Sequence, residues 1–141
     1  MSSFNFKITG GKELDRALSQ FSLRVETNIA KSAARAGAAV VLKDARQRAP
    51  QDSGTLRRSL AIVARKSQRG EAVVASVVTR SGRKWNAKRA NAWYAGKVEF
   101  GTATTNAQPF LRPALDSKRT EVIKAMATKI QARIAKYGLK V

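Results

Sequence analysis

Leu14, Leu18, Phe21, Val25 and Ile29 recur at spacings of three and four residues, and the row continues through Ala33, Ala36 and Val40 before stopping at Ala49-Pro50. Such spacing gathers apolar side chains on one side of an α-helix and commits that side to burial. Proline ends the pattern because it lacks an N–H and drives the preceding residue out of the helical region. After a short candidate strand over Phe4–Thr9 and a break at Gly10-Gly11, the chain is expected to form one long helix, with Gly37 as a candidate kink. Its second half is rich in alanine, and small side chains let another backbone come close. The Ala33–Ala39 stretch, including Ala33 and Ala36, is therefore a candidate contact with another helix or with a neighbouring subunit.

Beyond Pro50 the pattern changes. Asp52-Ser53-Gly54 reads as a turn in which Asp52 or Ser53 caps the short segment Thr55–Ser59. Pro50, Asp52, Ser53 and Gly54 together form the expected structural turn. Leu60–Lys66 and Ala72–Thr79 are rich in β-branched residues and flank Gln68-Arg69-Gly70-Glu71, which is a hairpin signal. Arg80–Asn91 has no apolar period and reads as an exposed basic loop. Trp93–Phe100 suits a third strand or a short helix, and Glu99-Phe100-Gly101 is read as a strand end because glycine permits the turn. From about Pro113 a final helix carries Leu115, Val122, Ile123, Met126, Ile130, Ile134 and Tyr137 on one face, with Gly138 as its stop. Single stripes on both helices and alternation on the strands predict an α+β fold over residues 1–141, one domain in which both helices pack on a small antiparallel sheet of three or four strands.

Ala107-Gln108-Pro109-Phe110-Leu111-Arg112-Pro113 is unusually stiff. Pro109 fixes its own φ and makes Gln108 extended, while Pro113 sits where a first helical turn tolerates a missing N–H. Phe110 and Leu111 are thereby held at the mouth of a helix, either as ordinary core residues or as anchors of an interface. Low residual freedom reduces the ordering cost of binding, which favours an interface role for the group Glu99, Phe100, Gly101, Pro109, Phe110, Leu111 and Pro113.

Two of these segments, Tyr94–Thr102 with Ala107–Leu115, resemble the tail-completion (minor tail component) family of lambda-like long-tailed bacteriophages. Ala49-Pro50-Gln51-Asp52-Ser53-Gly54-Thr55-Leu56-Arg57-Arg58-Ser59 is similar to that family's Ala-Pro-x-Asp-Thr-Gly-x-Leu-Arg-x-Ser, with Ser53 keeping the hydroxyl of the usual threonine. Lys97 departs from a more apolar tendency at its position, and Arg80–Asn91 has no family counterpart. The resemblance implies a structural virion protein of the head–tail junction, made in the host cytoplasm. It further implies a closed homo-oligomeric ring of about six copies around the DNA channel, held by heterologous contacts between different faces of one subunit and the next. Neighbouring neck and tail proteins are the implied partners.

Charge is the strongest compositional signal and implies contact with something anionic. Lys and Arg number 28 against 9 acids, a net +19. Residues 53–98 hold eleven of the basic groups and only Glu71 among the acids, so the middle of the chain is where an anion is felt most. Arg83, Lys84, Lys88 and Arg89 are interleaved with Trp85, Trp93 and Tyr94, a mixture that neutralises phosphates and stacks bases. Arg80, Arg83, Lys84, Trp85, Lys88 and Arg89 are the candidate contacts with DNA or with an acidic protein face. Trp93 and Tyr94 have the competing reading of core residues. No helix-turn-helix, zinc-finger or RNA-sheet signature accompanies them, so non-specific contact is expected. A non-specific nucleic-acid-binding basic protein of the cytoplasm is the alternative function.

Several classes find no support. Without His or Cys the commonest bases, nucleophiles and thiolate ligands are missing, and no disulfide forms. Glu13 and Asp15 belong to a first helical turn, where they complement the helix dipole. Gly10-Gly11 lacks the Lys-Ser/Thr of a phosphate loop, and no calcium-loop alternation of Asp and Asn occurs. No enzyme activity, cofactor or metal is expected. Nor does any run approach the ~18 apolar residues of a membrane span.

Overall fold

A computed structural model describes residues 23–66, 72–80 and 92–137. The candidate strand over Phe4–Thr9 and the first turns of the predicted long helix lie outside the described residues. So do the hairpin turn, Gly138 and residues 81–91.

The N-terminal stripe folds as helix α1, Leu23–Arg48, with Glu26 in its first turn and Arg46 and Arg48 in its last, charges that oppose the helix dipole at each end. Ile29, Ala33, Val41 and Ala45 are its buried row. Every fourth residue is small or apolar, and Gly37 occupies the place between Ala33 and Val41. Ala36 and Val40, on the predicted stripe, are only half-buried. Helix α1 runs unbroken through Gly37, whose role is close approach: a Cβ there would lie 2.8 Å from Met126 Cγ and 2.9 Å from Met126 Sδ.

That neighbour belongs to the C-terminal helix. After α2, Thr55–Ser59, the strands β1, Leu60–Lys66, and β2, Val73–Thr79, pair antiparallel with Leu60 opposite Thr79 and Lys66 opposite Val73. Helix α3, Ala95–Phe100, and helix α4, Leu111–Lys136, complete the order. Helix α4 runs against α1 in the opposite direction, since Arg133 Nε donates to Ser32 Oγ at one end (3.1 Å) and Arg48 Nη2 donates to Ser117 Oγ at the other (3.1 Å). Both strands pack on α1 as well. The result is the expected α+β arrangement of two long helices on a small antiparallel sheet.

Two features differ from the sequence reading. Among the described residues the sheet has two strands, not three or four, because Trp93 and Tyr94 form a turn and Ala95–Phe100 takes the short helix that the sequence allowed as the other form of this segment. Ala92, Ala95 and Glu99 fall inward at spacings of three and four while Trp93, Gly96, Lys97 and Phe100 face out, and that period cannot lie flat on a sheet. Glu99-Phe100-Gly101 thus ends a helix, with Gly101 as its C-cap. On α4, Val122 is buried but Ile123 is 54 % exposed and Tyr137 42 %. Consecutive helical residues are ~100° apart, so Ile123 cannot share the face of Val122.

The core joins every element. Val41 and Ala45 of α1 meet Leu56 of α2, Leu60 of β1, Ala95 of α3 and Ala114 of α4, with Phe110 fully enclosed among them. Asp44, buried on α1, accepts from Arg48 and from Ser117 Oγ at 3.4 Å, so its charge is matched where it is hidden. Among the described residues no buried side-chain polar atom lacks a partner.

Candidate partner-docking site

The entry to α4 is built around one carboxylate. A helix begins with backbone N–H groups that have no partner inside it. Here Phe110 N donates to Glu99 Oε2 (2.8 Å), Leu111 N to the same oxygen (3.0 Å) and Arg112 N to Oε1 (3.1 Å). The next residue is Pro113, which has no N–H to satisfy. Glu99 thus closes the first turn from another helix, and it brings negative charge to the positive end of α4. The residue is 9 % exposed, so these bonds form with little competition from water.

Between α3 and α4 the chain makes a stiff exposed loop. Gly101 has φ 73° and ψ −179°, a conformation reserved for glycine, and a Cβ there would lie 2.8 Å from Ala107 N and 2.9 Å from Thr105 O. Thr102 N donates to Thr105 O (2.9 Å), and Gln108 N donates to Val98 O (2.8 Å). Residues 102–109 are exposed, yet these bonds and Pro109 fix their path. The loop is a rigid prominence.

The Pro50–Gly54 turn stands opposite. Gly54 has φ 73° and precedes α2. Gly54, and neither Asp52 nor Ser53, is the N-cap of α2, with no side-chain cap bond; Ser53 Oγ donates to Thr55 Oγ1 (2.8 Å) and accepts from Thr55 N (3.4 Å), and Asp52 is exposed. Arg57 of α2 reaches back to the end of α1, donating to Ala49 O (3.2 Å) and Gln47 O (3.4 Å). A cation thus sits on the carbonyl end of the long helix, the stable sign for that terminus.

Turn and loop face each other across a cleft of about 360 Å³, lined by Pro50, Asp52 and Gly54 on one side, Tyr94 and Lys97 of the α3 region on another, and Thr102 and Thr105 of the loop. Segments more than forty residues apart in sequence therefore share one concave surface. Beside it, α3 turns an unusual face outward. Trp93 and Phe100 are each 69 % exposed, one turn either side of Lys97, whose Nζ lies 5.0 Å from the Trp93 ring centroid. Tyr94 meets Trp93 edge to face at 6.0 Å and packs against the core.

The predicted residues therefore separate. Phe110 is fully buried and Ala33 is 2 % exposed, so both side chains are covered by their own chain and offer nothing to a partner. Gly37 on α1 is the small residue against which α4 comes close. Leu111, Pro113 and Ala36 are half-buried; Phe100 and Pro109 are exposed. Glu99 holds the site together from inside. Trp93 is neither core nor part of a described basic loop but stands exposed in the turn that leads into α3. Arg80 is exposed at the base of the hairpin, where its N–H donates to Ser59 O (2.9 Å) and its carbonyl accepts from Ala92 N (3.1 Å). Arg83, Lys84, Trp85, Lys88 and Arg89 lie outside the described residues. Among the described residues no cluster of acids could hold a metal ion, and no helix is long and apolar enough to cross a membrane.

Sequence reasoning missed the capping role of Glu99. Its signal was a lone acid two residues before a glycine, twelve residues ahead of a helix start whose N-cap, Phe110, is not Ser, Thr, Asp or Asn.

The model of the family described as "Bacteriophage HK97-gp10, putative tail-component" matches residues 12–101, well over half of the chain. The match takes in the Pro50–Gly54 turn and ends at Gly101, at the foot of the exposed loop. No curated protein and no solved structure matches the chain. The chain belongs to the HK97-gp10-like family of bacteriophage tail components.

Proposed function

We propose that this tail component acts at the head–tail junction of the virion, completing the tail or joining it to the head as a closed ring of about six copies around the DNA. The observation that carries this reading is the convergence of the turn, α3 and the rigid loop on one cleft beside the exposed Trp93 and Phe100. A ring needs two different surfaces on each subunit, one to dock and one to receive. Trp93 and Phe100 project outward beside the cleft, which supplies surfaces of unlike shape. Neighbouring neck and tail proteins are the further partners. The role is structural: no residue set found above has the geometry of an acid, a base and a nucleophile working together.

The test is genetic and visual. A phage lacking this gene should accumulate DNA-filled heads and separate tails, and the wild-type chain supplied in trans should restore joined particles. Normally joined, infectious particles in its absence would overturn the proposal. Mass measurement of the purified chain by light scattering reads the ring directly.

A further inference from the structure

A second concavity, of about 470 Å³, lies at the other side of α2 and is lined by Arg46, Gln47, Arg57 and Arg58. Among the described residues three guanidinium groups and no carboxylate line it. Among the described residues the acids that form ion pairs, Asp44, Asp116 and Glu121, are matched to Arg48, Arg119 and Lys118, none of which lines this cleft.

What separates this cluster from ordinary surface arginines is that each is tethered. Arg46 Nη2 donates to Leu60 O (3.0 Å), Arg57 to Ala49 O and Gln47 O, and Arg58 Nη2 to Ser53 O (3.4 Å). A guanidinium has five N–H donors in a fixed fork, so these bonds leave most of each fork unused while restricting its swing. The ordering cost that a flexible cation would incur on binding is thereby already met. Carbonyls at the end of α1 offset part of the charge on Arg57, equivalent to about half a unit. The balance remains strongly positive.

We infer that the Arg46–Arg57–Arg58 cleft is a contact site for the phosphate backbone of duplex DNA. Planar forks suit phosphate oxygens in bidentate geometry, and nothing in the cleft is shaped to read base edges. The inference rests on the junction reading for its source of DNA. An acidic protein face would use the same chemistry; duplex is favoured because basic residues are in excess on both sides of the strongly basic middle as well as within it, a wider field than one docking patch needs.

The test compares two pairs of substitutions that remove equal charge. Arg46→Gln with Arg58→Gln empties the cleft and leaves Arg57, which holds the end of α1. Lys129→Gln with Lys136→Gln removes two exposed charges near the opposite end of α1, roughly 20 Å or more away along the helix. Each protein is titrated against a short unrelated duplex at several salt concentrations, with a poly-glutamate peptide as a competitor. The cleft pair should weaken duplex binding about tenfold or more and lower the salt slope by about two, whereas the distal pair should leave the slope nearly unchanged. Equal effects from both pairs would overturn the site and reduce the binding to net charge. Preferential capture of poly-glutamate over duplex by the wild-type chain would overturn it in favour of an acidic protein partner. Should circular dichroism show the double variant unfolded, Arg58→Gln alone, tethered only to the exposed Ser53, carries the test with about half the slope change. If the cleft pair binds DNA normally yet particles still fail to join without the gene, the site fails and the junction role stands.

Discussion

Glu99 accepts from three backbone N–H groups at the buried start of α4, so replacing one carboxylate oxygen by an amide removes both charge and an acceptor. Glu99→Gln keeps the volume but leaves at least one buried donor without a partner, a loss of about 1–3 kcal/mol. Chemical denaturation reads it directly, and a change under about 0.5 kcal/mol would mean that water replaces the cap. The two positive-φ glycines allow a cleaner contrast. Both have φ 73°, but Gly54 faces open space, with Arg58 Nη1 4.0 Å from an added Cβ, whereas Gly101 faces backbone at 2.8 Å. Gly54→Ala should cost about 1–2 kcal/mol from conformation alone. Gly101→Ala adds a clash with atoms that cannot rotate away, so it should cost more, and Asn should rescue Gly54 but not Gly101. Equal melting points for the two alanine variants would refute the steric argument.

At the scale of elements, the pairing of α1 with α4 turns on Gly37. An exposed helical glycine replaced by alanine gains about 1 kcal/mol of helix propensity. Here the new methyl would meet the middle of the Met126 side chain and lie 3.1 Å from Val122 Cγ1, so the gain should disappear or reverse. A double-mutant cycle isolates the cause: Gly37→Ala combined with Met126→Ala should be less destabilised than the two single costs predict, by about 0.5–2 kcal/mol. Strict additivity would show that the helices adjust freely. The alanine-rich half of α1 was thus read correctly as a surface for close approach. Which element approaches it depends on the return of the chain one hundred residues later, which local spacing does not encode.

For the whole molecule the decisive contrast is between enclosed and exposed aromatics. Phe110 is fully buried, so Phe110→Ala should cost about 3–5 kcal/mol and unfold a domain of this size. Trp93 and Phe100 are 69 % exposed, and changing both to Ser should move stability by less than about 0.5 kcal/mol. If α3 is the projecting half of a ring contact, the same double variant should run as a monomer on a sizing column and fail to restore infectious particles. A double variant that assembles and rescues like wild type would move the contact elsewhere.

Much of this protein follows from sequence alone. The stripe ended by Ala49-Pro50 determines α1, the β-branched runs either side of Gly70 determine the hairpin, and the proline-flanked start determines where α4 begins, because each is a local rule of backbone sterics and side-chain period. The residue set of the site was also legible, since Pro50–Gly54, Glu99–Gly101 and Pro109 are each conformationally marked. Their roles were not. Trp93–Phe100 satisfies both strand composition and a helical period, and only packing of Ala92, Ala95 and Glu99 against the core selects the helix. Phe110 and Phe100 are alike as residues. One is enclosed because α1, α2 and α3 converge on the start of α4, and the other is left in solvent on the outer turn of α3. Burial is a property of that convergence, and so is the placing of Glu99 at the start of α4, a helix that begins twelve residues after it.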